Sequence, residues 1–219
     1  MSGGKRIAVM QPYFFPYAGY FRLFTHVDEF VLLDSVQFPR SGRVHRSETA
    51  PGSWLSLPMA RQPLATLIRE LEFGAGARGE FDRRLAAQPW LASARGEAAE
   101  QLREYLHAPL ENVVDYLEDG LRLVNRLLGI DTPILRSSSL SIAPELRGQD
   151  RILAIAAARG ARSYLNSPGG RALYQPDDFA AAGLALEFLP DYSGRHFHLL
   201  PALARGEAGA IAAELGAGA

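Results

Sequence analysis

The chain has 219 residues, 47% of them hydrophobic and 21% charged, with a formal net charge of −1. That length suits one domain with a buried core, and the near-neutral balance gives no electrostatic reason to bind DNA or an anionic membrane. The absence of cysteine excludes disulfides, thiolate nucleophiles and cysteine-ligated zinc or iron–sulfur centres.

At the N-terminus, MSGGKRIAVM lacks the apolar core of a secretory signal, and no later run approaches the roughly 20 apolar residues that cross a bilayer, so a cytoplasmic protein with no membrane span is expected. Residues 6–10 form an apolar run that stops at Gln11-Pro12 and reads as a buried strand. In residues 17–26, the spacing of Tyr20, Phe21, Leu23 and Phe24 predicts a short helix, and EFVLLD at 29–34 reads as a second buried strand. Strand, loop, helix and strand in so short a span predict a βαβ unit with parallel strands and a right-handed crossover. Ligands in such folds sit beyond the carboxyl ends of the strands, where Gln11 and Asp34 fall.

Alternation over residues 54–59 predicts another strand after a turn-rich loop, with residues 65–71 as its expected hairpin partner. From about 79 to 129 the apolar spacing turns helical and predicts three helices, carried by Phe81 and Leu85, by Ala98, Leu102 and Leu106, and by Val113 through Leu128, with Gly129 as the final cap. DTPILRSSS then gives a short strand ending in serines. Asp150 is the expected cap of a helix over 151–159 with Ile152, Leu153 and Ile155 inward; Gly160 ends it and ARSYLN returns as a strand. SPGGR reads as a tight glycine loop, residues 179–182 close a short helix, and LALEFLP is the last strand. The tail from about 205 to 219 reads as a loose helix, frayed at its end. The expectation is one α/β domain over 1–219: a mostly parallel, Rossmann-like sheet flanked by helices, with a largely helical insertion in the middle of the chain.

Three groups of residues are candidates for chemistry. Gln11, Tyr13, Tyr17 and Tyr20, with Asp34 and Gln37, bring amide, phenol and carboxylate groups to the strand exits, or else their aromatics are core and only their polar tips reach the surface. An amide directly before proline at the end of a buried strand has little structural work to do, which favours the site for Gln11. Arg40, Arg43, His45 and Arg46 crowd one loop; their guanidiniums repel unless an anion lies between them, and a nucleotide phosphate would suit, the alternative being a solvated surface loop. Amid those cations the His45 pKa is expected to fall, leaving it a general base or a plain hydrogen-bond donor. NSPGGR at 166–171 follows a strand: Gly169 and Gly170 permit close backbone approach and Ser167 and Arg171 add side chains, as an anion cradle or an ordinary glycine turn. It matches neither GxxxxGK[ST] nor GxGxxG.

Ser137, Ser138 and Ser139 read as turn and capping residues or as ligand contacts, and Tyr192 with Asp191 as the rim of the site. His196 and His198 are spaced as a metal pair but lack a nearby run of acidic ligands, so no metal is expected.

MQPYFFPYAGYF at 10–21, EFVLLDSVQF at 29–38, RSGRVHRSE at 40–48 leading to WLSLP at 54–58, and GARSYLNSPGGRALYQPDDFAAAGLALEF at 160–188 together resemble the WbqC-like proteins of bacterial surface-polysaccharide gene clusters. The order and spacing agree nearly to Asp191. The resemblance implies O-antigen, related glycan or natural-product biosynthesis, and a transferase acting on an amino sugar or similar amine. Three departures stand out: His45-Arg46-Ser47 where Asn-Arg-Asn is usual, Gln175 where an acidic residue is usual, and a C-terminal segment without the usual aromatic and leucine-rich ending. The strand–loop–helix–strand start is also similar to nucleotidylyltransferases and pantothenate synthetases, whose His-x-Gly-His signature is missing here.

The combined expectation is acyl or aminoacyl transfer to an amine of a sugar or nucleotide-linked acceptor. Gln11, Asp34 and His45 are the catalytic candidates. Tyr13, Tyr17, Tyr20, Gln37, Arg40, Arg43, Arg46, Ser167, Gly169, Gly170, Arg171 and Tyr192 are the candidates for binding. The expected partners are a small-molecule substrate with an anionic or nucleotide part and an acyl or aminoacyl donor carrier, and no cofactor is identified. A nucleotidylyltransferase or ATP-dependent ligase, and a non-catalytic nucleotide or carbohydrate binding module, are the alternatives.

Overall fold

Apolar runs that exit into polar loops build the strands β1 (Arg6–Met10) and β2 (Glu29–Leu32), a separate pair β3 (Arg46–Ala50) and β4 (Ser53–Ser56), and then β5 (Ile134–Arg136), β6 (Ser163–Asn166) and β7 (Ala185–Phe188). The computed structural model describes residues 4–216. The chain forms two compact units, one from the segment through Gln11 with residues 20–34 and 132–193, the other from residues 12–19, 35–131 and 194 onward.

The first unit is an all-parallel sheet in the order β5-β2-β1-β6-β7. Its central strands are near-continuous apolar runs because both faces are covered. Phe30 of β2 stacks at 3.9 Å on Phe24 of α1 (Ala18–Thr25). Ile7, Val9 and Val31 join Ile155 of α6 (Gly148–Ala158) and Phe179 of α7 (Pro176–Ala181) in one core cluster. Helix α6 begins earlier than expected, so Asp150 lies in its first turn rather than at the cap, where its charge complements the helix dipole. SPGGR is not a bare loop either: proline at its start lets residues Pro168–Leu173 wind into a 3-10 helix.

The two edges of this sheet differ in chemistry. At the amino ends, Glu29 takes both Arg159 (2.7 Å twice) and Lys5 (3.0 Å), and Arg6 pairs with Glu187 (3.0 Å). The carboxyl ends carry amides, hydroxyls and one carboxylate. The chain lays β2 and β5 on one side of β1, then β6 and β7 on the other, so the strand order reverses between β1 and β6. In open α/β sheets a ligand crevice lies at that reversal, beyond the carboxyl ends.

The second unit contains the antiparallel β3–β4 hairpin, with Ser47 opposite Leu55 and Glu48 opposite Trp54. This corrects the expected pairing: residues 65–71 supply only an isolated bridge, Gln37 to Leu67, and a 3-10 turn over Ile68–Glu70. Helices α2 (Ala77–Ala86), α3 (Pro89–Ala92), α4 (Glu97–Leu106) and α5 (Val113–Leu128) follow, one short helix more than the spacing suggested. Asn112 caps α5 through its side chain (2.9 Å to the Asp115 N–H) and Gly129 closes it in the left-handed region.

Helices α8 (Leu199–Ala204) and α9 (Ala208–Gly216) complete this unit. The tail is anchored rather than loose, because Ile211 and Leu215 are buried; residues 217–219 of the expected frayed end lie outside the described residues. Among the described residues no helix is long and apolar enough to cross a membrane.

Candidate active site

In the first unit, Gln11 follows β1 on the reversal side of the sheet. It is half-buried, and among the described residues no protein hydrogen bond engages its side chain. Its carbonyl accepts the Tyr20 hydroxyl at 2.8 Å. Tyr20 is 4% exposed and packed against Phe21, Phe24 and Phe30. Tyr20, a binding candidate in the sequence, is therefore a core residue that fixes the strand exit from behind.

Asp34 is also enclosed. One carboxylate oxygen accepts the Ser137 hydroxyl and the Ser138 N–H, each at 2.8 Å, and the other accepts the Ser138 hydroxyl. At 1% exposure it clips the end of β2 to Ser137 and Ser138 after β5.

Across the reversal, Asn166 ends β6 and is 4% exposed. Its carbonyl oxygen accepts the Ser167 N–H (2.7 Å) and its amide donates to the Tyr174 hydroxyl (3.3 Å), which lies 3.1 Å from the Tyr164 hydroxyl. Gly170 packs on this amide so closely that a Cβ would sit 2.4 Å from Asn166 Nδ2. Gly170→Ala is therefore expected to push Asn166 out of its network and cost about 1–3 kcal/mol, read as a lower melting temperature. A Cβ on Gly169 would meet open space, and Arg171 is exposed with its guanidinium carbon 4.9 Å from the Phe188 ring centroid. Tyr192 is half-buried in the stretch after β7.

The second unit gathers the other candidates. Phe14 and Phe15 are core, set against Phe81, Tyr105 and Tyr116. Phe15 holds a φ of 43°, a strained conformation for an aromatic residue. Its carbonyl accepts the buried Ser47 hydroxyl at 2.8 Å, which ties the strained loop to β3. Tyr13 and Tyr17 remain half-buried. Burial pushes the Tyr13 phenol up and the Arg43 charge partly offsets this. Tyr17 lies parallel to Phe197 at 5.9 Å.

The basic loop does not converge on an empty anion position as a set of three. Arg40 donates to the Gln62 carbonyl, and Gln37 likewise to the Leu64 carbonyl. Arg46 donates to the carbonyls of Ser41 and Gly42, and Arg43 pairs with Glu48 at 3.4 Å. The guanidinium carbons of Arg43 and Arg46 nonetheless share one indole, 5.0 and 4.5 Å from the Trp54 ring centroid. His45 lies edge-on to Phe38 at 5.3 Å. Its pKa is lowered by burial first and then by the charges of Arg46 and Arg84, and among the described residues its buried Nδ1 has no hydrogen-bond partner.

Glu48, Trp54 and Phe197 were not among the sequence candidates, and Ser47 entered only as a departure from the family pattern. Alternation around Trp54 is the other local signal. His196 and His198 do not act as a pair. His196 is buried with Nδ1 against Glu214 and Nε2 against Glu207 (3.2 Å), so both ring nitrogens face carboxylates.

The family model described as the WbqC-like protein family matches residues 11–198. Among curated proteins the chain is 24% identical over 209 residues to Uncharacterized protein Rv1507c of Mycobacterium tuberculosis (strain ATCC 25618 / H37Rv), covering 87% of this chain and 84% of that protein. No solved structure matches. With the family model running from the strand exit at Gln11 through the hairpin and the glycine turn to His198, this chain belongs to the WbqC-like protein family.

Proposed function

We propose that this protein is a cytoplasmic transferase that passes an acyl or aminoacyl group to an amine of a sugar or nucleotide-linked acceptor, in glycan or natural-product biosynthesis. The observation that carries the reading is His45. An amine nucleophile is protonated near neutral pH and must lose a proton to react. An imidazole kept neutral by burial and by two neighbouring guanidiniums accepts that proton at physiological pH. Its buried, orphaned Nδ1 leaves about 1–3 kcal/mol of hydrogen bonding unmade.

In the reaction the amine nitrogen attacks the acyl carbonyl carbon, and a new C–N bond forms as the donor's C–O or C–S bond breaks. The ammonium sheds one proton to water, and His45 takes the second from the attacking nitrogen and returns it to the departing oxygen or sulfur. The first unit has a candidate binding position of its own, with the uncommitted Gln11 amide and the Asn166–Gly170 turn at the strand reversal.

A thermal-shift screen over nucleotides, nucleotide sugars, acyl-CoA species and aminoacyl-tRNA tests the ligand. At 100 times its dissociation constant a true ligand stabilises by ~2.7 kcal/mol, roughly 5–10 °C for a chain of this size. Gln11→Ala is expected to abolish that shift while leaving the unliganded melting temperature within about 2 °C of wild type. A screen in which no nucleotide-containing compound moves the melting point sinks the nucleotide-linked acceptor, and an unfolded Gln11→Ala protein assigns Gln11 to the core.

A further inference from the structure

We propose that the outer face of the β3–β4 hairpin is a receptor for one phosphoryl group, with Trp54 as its floor and Arg46 as its principal ligand. The proposal deepens the transferase reading by naming the anionic handle of its substrate, and it rests on that reading only for the identity of the molecule that bears the handle.

The hairpin's alternation creates this face. Ser47, Thr49 and Leu55 turn inward and are buried, so Arg46 and Glu48 emerge on the other side, with Glu48 opposite Trp54. Arg43, just before the strand, reaches the same indole. Both guanidinium carbons lie within 5.0 Å of one ring centroid, so the two cations are held within about 10 Å of each other.

Charge on this face is unbalanced. Glu48 pairs with Arg43, and Arg84 pairs with Glu80. Arg46 has no carboxylate within salt-bridge distance among the described residues; it donates to the neutral carbonyls of Gly42 and Ser41. Those carbonyls and the indole fix its orientation, so little side-chain entropy is lost when an anion arrives. Most N–H donors of both forks remain unused; the Arg43 side chain is 40% exposed and Arg46 is half-buried, so neither fork is sealed from solvent. A carboxylate's two oxygens are filled by a single fork. A phosphoryl group offers its oxygens to both forks at once, and its charge cancels the excess.

The test uses Trp54 as its own reporter. Only two tryptophans occur in the chain, so Trp90→Phe leaves Trp54 as the sole emitter. That protein is titrated with inorganic phosphate, pyrophosphate and methyl phosphate at low ionic strength, with acetate and chloride as matched controls. A saturable change in emission is expected with the phosphoryl compounds and not with the controls. Arg46→Gln in the same background is expected to weaken the response about ten- to a hundredfold, and Arg46→Lys to recover part of it, because charge returns without the fork.

Equal responses to acetate and phosphate would overturn the phosphoryl assignment. A flat emission trace, or an Arg46→Gln protein that is folded and titrates like its parent, would overturn the site itself. Acyl transfer with no phosphate response at Trp54 would sink this inference and spare the transferase; a phosphate response in a protein that transfers nothing would do the reverse.

Discussion

Replacing His45 with glutamine is expected to slow acyl transfer by roughly 10²–10⁴-fold, the usual contribution of a positioned general base, with little change in melting temperature. Glutamine keeps polar atoms near the imidazole position but accepts no proton at any working pH. The pH dependence separates catalysis from packing. The folded pKa of His45 lies below the ordinary 6.5, lowered by burial, Arg46 and Arg84 in that order. The acid limb of the wild-type rate profile should therefore fall below pH 6.5, and it should disappear in His45→Gln. Stability follows the same sign: between the folded pKa and 6.5 the unfolded chain binds the proton more readily. This residue thus lowers stability as pH falls through that window and contributes nothing above it. A His45→Gln enzyme with an unchanged rate and an unchanged acid limb would remove His45 from the chemistry.

The sheet was legible because parallel strands covered on both faces must be continuous apolar runs, and IAV, EFVL and SYLN have no other economical reading. The hairpin is hidden in the sequence for the opposite reason. β3 is RSETA, a strand without one large apolar residue, and its inward positions are Ser47 and Thr49. No hydrophobic period marks such a strand, so the nearby apolar 65–71 segment looked like the better partner. Helix α8 escaped notice because LLPALA is buried all round, which erases the helical period, and because Pro201 reads as a breaker although it stands in the first turn, where proline is tolerated.

The candidate residues can be read from the sequence one by one, but not which of them meet. QPYFFPYAGYF divides as its chemistry suggests: Phe14, Phe15 and Phe21 are buried, while Gln11, Tyr13 and Tyr17 are half-buried. Nothing local distinguishes Tyr20 from Tyr17, since only the fold turns one inward. Arg43, Arg46, Glu48 and Trp54 meet on one face through the register of a hairpin that was not foreseen. Asp34 looked catalytic for a similar reason: its partners Ser137 and Ser138 lie more than a hundred residues further along the chain.

That distance makes Asp34→Ala the most informative stability test. The substitution removes the acceptor of the Ser138 N–H and of two hydroxyls in a place that is 1% exposed. Buried donors stripped of a charged acceptor cost about 3 kcal/mol in total, which lowers the melting temperature by roughly 6–12 °C in a chain of this length. Asp34→Asn keeps a carbonyl for the two donors at 2.8 Å, and its amide can donate to the Ser138 hydroxyl once that group rotates, so only about 1 kcal/mol is expected. Combining Ser137→Ala with Asp34→Ala should cost less than the sum of the two, because the pair shares one interaction. A catalytic Asp34 predicts the reverse order of effects: Asn would abolish turnover with a near-normal melting point, and Ala would add nothing on either axis. Melting curves of the two variants, measured beside the His45→Gln protein, decide whether the carboxylate at the end of β2 holds the sheet together or takes part in the reaction.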